Sequence, residues 1–152
     1  MIRILCVGKK SEPIFVPAVL EYEKRIKQLG IQFEVISTEH STLPPDRARV
    51  YESTLLLSRL GPSDFVILFD ERGAVYTTAQ FAKYIDTAQS NSRTVVCVIG
   101  GAHGVGDVLL QRADVVLCFG ASVFPHQLVR VLVLEQLYRG LTVLKRLPYH
   151  NA

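Results

Sequence analysis

The fold is decided by residues 95–138, which read VVCVIGGAHG at 95–104, VVLCFGASVFPHQ at 115–127 and LVRVLVLEQLY at 128–138. Two runs, Val95–Ile99 and 115–119, are apolar almost without interruption, which is typical of parallel strands buried on both faces. Gly100 ends the first run and Gly120 ends the second. Ligands of open α/β sheets bind at the carboxyl ends of strands, where glycine lets the backbone come close to them. The stretch therefore predicts a ligand-binding edge.

A long helix follows these two strands. Pro125 is suited to its first position, and the apolar residues that come after it fall on nearly every side of the helix. A helix on the surface of a monomer does not need apolar residues all round. The pattern therefore predicts that this helix also forms a subunit interface, and hence a homodimer.

Strand and helix patterns alternate through the rest of the chain. They predict further strands at 2–7, 32–37 and 65–69, and helices at 14–29, 46–60, 77–89 and 107–112. Thr77, with Gln80 three residues later, has the signature of a capping box at the start of one of these helices. Five strands linked by helices predict an α/β fold, with one parallel sheet and helices on both faces, in a single domain over residues 1–152. Residues 70–73 are predicted to form a turn after the third strand.

Composition narrows the class of protein. With 49% hydrophobic and 20% charged residues, the chain has the profile of an ordinary globular protein. The net charge of +3 permits a polyanionic partner but does not demonstrate one. The longest apolar run is too short to span a membrane, and a strand that begins at Ile2 leaves no room for a signal peptide. We expect a cytoplasmic protein without a membrane segment.

The three cysteines, Cys6, Cys97 and Cys118, all lie inside apolar strand patterns. An odd number at such positions indicates small buried side chains in a reducing compartment rather than a disulfide framework. No Cys-x-x-Cys or His-x-x-His spacing is present, so we expect no metal site.

Several polar positions have both a structural and a functional interpretation. The cluster at 100–104 matches neither dinucleotide-binding nor P-loop spacing, so tight-turn geometry alone is as good an explanation as a ligand site. His126, at a helix N-terminus, is expected to be neutral and structural. Arg130, in an apolar helix, predicts either an interface ion pair or an anion contact. Glu135 and Arg139 are spaced to pair with each other.

Four motifs, taken together, carry a family resemblance. They are FDERG at 69–73, VIGGAHG at 98–104, FPHQLVRVLVLEQLYRG at 124–140 and PYH at 148–150. In this order they closely resemble the ribosomal RNA large-subunit methyltransferase H family, whose members are small SPOUT-class methyltransferases that use S-adenosyl-L-methionine. The resemblance spans the chain from ILCVGK at 4–9 to its terminal motif.

This resemblance implies a SPOUT-type fold, with a parallel sheet whose C-terminal part is threaded into a trefoil knot. It also implies a homodimer that methylates N3 of a pseudouridine in large-subunit ribosomal RNA on the assembled ribosome. The positions that match the family's S-adenosyl-L-methionine contacts are Phe69, Gly100, Phe119, Gly120, Ala121, Ser122, Val123 and Phe124.

The same resemblance suggests catalytic positions. His150 is the first candidate for the base that removes the N3 proton, and Glu71 is the second. Tyr149 matches the substrate-side end of the family, and Arg130 is expected to hold an RNA phosphate or to brace the dimer. Two positions depart from the family pattern: Asn151 stands where many relatives have arginine or lysine, and Ala74 where lysine is usual.

Three other functions remain open from the sequence. One is a methyltransferase of the same fold with another substrate, and a second is a ribosome-binding dimer without turnover. The third is a flavodoxin-like nucleotide-binding protein, but residues 8–11, Gly-Lys-Lys-Ser, form a poor phosphate loop after the first strand.

Overall fold

A five-stranded parallel sheet organises the computed structural model, which describes residues 1–8, 12–39 and 41–150. Its strands and helices are β1 (Ile2–Val7), α1 (Val16–Gln28), β2 (Phe33–Thr38), α2 (Pro45–Leu57), β3 (Phe65–Val75), α3 (Thr78–Ser90), β4 (Val95–Ile99), α4 (Asp107–Arg112), β5 (Val115–Cys118) and α5 (His126–Leu144). The strands lie in the order β2-β1-β4-β3-β5, and every neighbouring pair is parallel. The predicted parallel α/β sheet is confirmed. Asn151 and the lysines at 9 and 10 lie outside the described residues.

Alternate side chains of each strand enter two separate cores. On one face of the sheet, residues such as Ile4, Ile67 and Cys97 pack with α1, α3 and α5. On the other face, residues such as Leu68 and Val98 pack with α2 and α4. Because successive residues of a strand point to opposite faces, a sheet covered by helices on both sides needs continuous apolar strands. The structure thus accounts for the apolar runs in the sequence.

The last helix packs against α1 and α3. It begins at His126, with Pro125 as the N-cap rather than as the first helical residue. Leu134 and Leu137 are fully buried against the sheet, whereas Leu128 and Leu132 stay half-buried. The apolar pattern on several sides of the helix is therefore only partly explained by contacts within one chain.

The third strand differs from its prediction. Residues 70–73 do not end it; they form an irregularity inside β3, after which Ala74 and Val75 pair with β5 again. A Cβ atom at Gly73 would lie 2.5 Å from the Leu117 carbonyl carbon, so only glycine allows the chain to return to β5 so closely. The prediction of a terminal turn was wrong because this pairing depends on a backbone contact between distant residues.

The predicted capping box at α3 is confirmed. The backbone N–H of Gln80 donates to Thr77 Oγ1 at 3.2 Å, and the backbone N–H of Thr77 donates to Gln80 Oε1 at 2.8 Å. These two bonds satisfy donors that a helix N-terminus otherwise leaves without partners. In the part of the chain that the structure describes, no helix is long and apolar enough to cross a membrane.

Candidate functional site

A cleft of about 820 Å³ lies at the carboxyl ends of β4 and β5 and beside the irregular part of β3. This volume falls within the range of about 300–1,000 Å³ that is usual for small-molecule sites. The two glycine-rich segments that the sequence singled out both contribute to it. Its lining comprises Arg49, Phe69, Asp70, Glu71, Arg72, Ile99, Gly100, Gly101, Ala102, His103, Gly104, Val105, Leu117, Cys118, Phe119, Gly120, Ser122, Val123, Phe124, Pro125, His126 and Val129.

The first wall is the loop between β4 and α4, residues 100–106. The backbone N–H of Gly104 donates to the Gly101 carbonyl at 3.1 Å, which closes a tight turn. Gly104 has φ +76°, a conformation that side chains disfavour, and no atom lies within 4 Å of the place where its Cβ would be. At Gly100 a Cβ would come 2.5 Å from Val105 Cγ1. The glycines therefore serve the turn geometry and leave backbone exposed to the cleft.

The second wall is the segment between β5 and α5, residues 119–125. Gly120 has φ +122°, and the position its Cβ would take is open space. Val123 is 77% exposed, and Phe124 is also exposed although it is a large apolar side chain. An open cleft bordered by exposed apolar side chains and bare backbone suits a flat, partly apolar ligand.

Aromatic rings lie beneath this second wall. Phe69, just before the irregular part of β3, stacks on Phe119, with ring centroids 5.4 Å apart and planes at 10°. Tyr76 meets both rings at steeper angles, with centroids 6.3 Å and 5.9 Å away. The stack joins the middle of β3 to the carboxyl end of β5, so it fixes the position at which the segment 119–125 begins.

An ion pair fixes the third wall, which is the irregular part of β3. The Arg72 guanidinium donates to both Asp70 carboxylate oxygens, at 2.7 Å and 3.0 Å, and also to the Val105 carbonyl at 3.0 Å. Burial raises the pKa of Asp70, but the hydrogen bonds from the Arg72 side chain and backbone outweigh it and hold that pKa below its ordinary value. Glu71 is exposed beside them. The Asp70–Arg72 pair therefore ties the β3 irregularity to the first wall, and Glu71 is left facing the cleft.

The structure brings together most of the predicted cofactor positions. The cleft is lined by Phe69, Gly100 and the residues of the 119–124 segment other than Ala121. This clustering follows from the parallel pairing of β3 with both β4 and β5.

The predicted catalytic positions are dispersed within one chain. Glu71 lines the cleft, whereas Arg130 is only 8% exposed on the inner side of α5 and is not part of the lining. The predicted Glu135–Arg139 pair is confirmed, with 2.7 Å between Glu135 Oε1 and Arg139 Nη2. His126 lines the cleft and has the Gln127 side chain 3.2 Å from its Nε2 atom.

The tail packs on the outside of α5 instead of reaching the cleft of its own chain. The Tyr149 ring meets the Tyr138 ring edge-on, with centroids 4.7 Å apart, and the Arg139 guanidinium lies 4.7 Å from the Tyr149 ring centre. The Tyr149 hydroxyl donates to Glu135 Oε1 at 3.4 Å. Burial and a hydrogen bond with Tyr149 raise the pKa of Tyr22 to about 12. His150 is half-buried beside this cluster.

Sequence reasoning missed one cationic group of the lining, Arg49, which projects from α2. His103 belongs to the predicted cluster at 100–104 and lines the cleft from the first wall. Nothing in the local pattern of α2 distinguishes Arg49 from a surface arginine, and its neighbour along the helix, Asp46, forms an ordinary ion pair with it at 3.1 Å. Within the described ranges, no group of three or more histidine, cysteine or acidic side chains is placed to hold a metal ion.

Comparisons with known proteins show which family the chain matches. Residues 1–150 match the family model described as "Predicted SPOUT methyltransferase". A Nitratidesulfovibrio vulgaris (strain Miyazaki F) protein named Ribosomal RNA large subunit methyltransferase H is 40% identical over 152 residues, covering 99% of this chain and 98% of that protein. A Caldicellulosiruptor saccharolyticus protein of the same name is 34% identical, covering 99% of this chain and 100% of that protein.

The fold of the chain is also similar to that of solved methyltransferase structures. The crystal structure of a probable methyltransferase from Bordetella pertussis Tohama I superposes with a TM-score of 0.57 at 14% sequence identity, covering 92% of this chain and 95% of that one. Identity this low carries information about the fold alone.

Proposed function

The chain belongs to the SPOUT methyltransferase family, and from this premise we propose that it transfers a methyl group from S-adenosyl-L-methionine to N3 of a pseudouridine in large-subunit ribosomal RNA. Its relatives are named for methylation of large-subunit ribosomal RNA, which supports the substrate class. The motifs at 69–73, 98–104, 124–140 and 148–150 support the finer reaction through the resemblance already described.

One observation carries the proposal: the glycine-containing loops that follow β4 and β5 open into the same cleft. Gly104 and Gly120 both have positive φ, and at both the space of a Cβ atom is empty. Backbone polar groups of these loops, other than the Gly104 N–H that closes the turn, can hydrogen-bond the polar edge of an adenine ring, while Phe119, Val123 and Phe124 cover its apolar faces. These residues fit S-adenosyl-L-methionine, and Phe69, Gly100 and residues 119–124 would hold it.

The cofactor, when bound, supplies an electrophilic methyl group on a sulfonium sulfur. The contribution of the chain is to orient the target base and to remove a proton. Holding two reactants in line is worth about 7–11 kcal/mol in favourable cases. The N3–H group must lose its proton as the new bond forms, and we assign this to His150, with Glu71 at the cleft as the alternative base.

A composite site is part of the proposal, because Tyr149 and His150 lie outside the cleft of their own chain. We assign them to the cleft of the second subunit of a homodimer, where Tyr149 packs against the target base. Burial of Arg130 within its own chain argues against contact with an RNA phosphate, so a bracing role in α5 is the one kept in this proposal. The trefoil knot, action on the assembled ribosome and a cytoplasmic location follow from the family resemblance and belong to the same proposal.

The dimer has its own test. Sedimentation of the purified protein at micromolar concentration is expected to give twice the 17.0 kDa chain mass. Leu132→Lys, which adds a charge to the half-buried outer side of α5, is expected to shift the protein towards monomer, because an unpaired charge is costly to bury. Val108→Lys is the control, since Val108 is exposed on α4 at the opposite face of the sheet. A wild-type protein that sediments only as a monomer contradicts the composite site.

The reaction is tested on ribosomes from cells that lack the gene. Incubation with purified protein and S-adenosyl-L-methionine is expected to add one methyl group to a pseudouridine of large-subunit RNA, detected by mass spectrometry of nuclease fragments. Binding of S-adenosyl-L-methionine without methylation of any RNA supports a ribosome-binding dimer instead. Methylation of another RNA retains the enzyme class and changes the substrate.

A further inference from the structure

Two buried polar side chains of α2 lie behind the first wall of the cleft. Glu52 and Ser53 follow one another on α2, and each is only 1% exposed. Neither contributes to the cleft lining. Burial of polar groups is costly unless hydrogen bonds compensate for it, so the contacts of these side chains indicate what they are for.

Both side chains accept hydrogen bonds from the backbone of loops at the carboxyl edge of the sheet. The backbone N–H of Gly106, at the end of the first wall, donates to Ser53 Oγ at 2.8 Å. The backbone N–H of Ser41, in the connection between β2 and α2, donates to Glu52 Oε1 at 2.9 Å. The two bonds connect α2 to both neighbouring loops.

The second Glu52 oxygen lies directly against Gly101. A Cβ atom at Gly101 would overlap Glu52 Oε2 and would also lie 3.4 Å from Val7 Cγ1. Gly101 is buried, and its carbonyl accepts the N–H of Gly104 in the turn that shapes the cleft. The carboxyl group of Glu52 therefore limits how far this turn can retreat from the cleft.

We propose that Glu52 and Ser53 are positioning residues that hold the 100–106 loop at the distance the cofactor requires. This inference rests on the proposed function, since the ligand in question is S-adenosyl-L-methionine. Glu52 acts through the backbone of Gly101 and Ser53 acts through the backbone of Gly106, and neither touches the cofactor.

Truncation of the carboxyl group is the direct test. Glu52→Ala is expected to raise the dissociation constant for S-adenosyl-L-methionine, measured by calorimetry on the folded full-length protein, about tenfold, because a buried donor and the turn both lose their partner. The Michaelis constant for the cofactor should rise in parallel, while that for ribosomes stays unchanged. Glu52→Gln, which keeps the shape and one acceptor oxygen, should restore most of the affinity. Glu21→Ala, at an exposed glutamate of α1, is the matched control.

A double-mutant cycle tests the contact itself. Gly101→Ala should weaken cofactor binding strongly in the wild-type background and much less when residue 52 is already alanine, because the overlapping carboxylate is then gone. Equal effects of Gly101→Ala in the two backgrounds would overturn the proposed contact. If Glu52→Ala does not fold, Ser53→Ala removes the other acceptor with the loss of only one oxygen atom, and it should also weaken cofactor binding.

Amide hydrogen exchange separates this inference from the proposed function. Glu52→Ala should speed exchange at residues 41–43 and 100–106, and Glu21→Ala should not, whether or not any ligand binds. Unchanged exchange in these loops, together with unchanged cofactor affinity, overturns the inference. A wild-type protein that fails to bind S-adenosyl-L-methionine overturns the proposed function instead, while the exchange experiment still decides whether α2 holds the loop.

Discussion

Replacement of Gly120 by valine is expected to lower the affinity for S-adenosyl-L-methionine about 100-fold, which corresponds to about 2.8 kcal/mol. Gly120 has φ +122°, which a β-branched residue adopts only with strain. Its Cβ would project into open space within the cleft, so the valine side chain would occupy the volume assigned to the ligand. Calorimetry with the purified variant measures the effect.

A matched control separates loss of the site from strain in the backbone. Gly30 also has a positive φ, +73°, and open space at its Cβ position, but it follows α1 near the amino ends of the strands. Gly30→Val should therefore cost stability in a thermal unfolding experiment and leave cofactor affinity unchanged. If folded Gly120→Val binds the cofactor as tightly as wild type, the assignment of residues 119–124 to cofactor binding is wrong.

Deletion of residues 149–152 is expected to abolish methylation of ribosomes while dimerisation and cofactor affinity stay close to wild type. Tyr149 and His150 lie outside the cleft lining, so cofactor binding within a chain does not depend on them. The deletion removes the edge-on contact of Tyr149 with Tyr138, and such pairs contribute only about 0.5–1.5 kcal/mol. Single-turnover methylation assays and calorimetry measure the two effects separately.

Point variants separate the contribution of His150 from that of Tyr149. His150→Ala should slow the chemical step about 10²–10⁴-fold if His150 is the general base, and far less if it only positions the substrate. Tyr149→Phe keeps the ring and loses the hydroxyl that reaches Glu135, so it should retain activity if the ring packs against the base. A truncated protein that methylates at the wild-type rate would show that the tail is dispensable, and Glu71 would then become the candidate base.

Regular secondary structure was predictable because its signals are local. The strands Ile2–Val7 and Val95–Ile99 and the helix Asp107–Arg112 have the bounds that apolar runs and turn residues predict. The capping box of Thr77 and Gln80 is equally local, since both partners lie within four residues. Most of the cleft positions were also predictable, because the carboxyl ends of parallel strands lie at one edge of the sheet, although β3 separates β4 from β5.

The tertiary structure alone decided the features that join residues far apart in the chain. The pairing of β3 with β5 after residue 73 depends on the close contact of Gly73 with Leu117. The contact of Glu52 with Gly101 joins a helix to a loop almost fifty positions away in the chain. Tyr149 lies on Tyr138 and Arg139 rather than at the cleft of its own chain. The amino-acid sequence thus determined which segments become strands, helices and the glycine-rich loops of the cleft, because periodicity and glycine conformation are local properties. It did not determine which side chains hold those loops in place, because close packing between distant segments has no periodic signature.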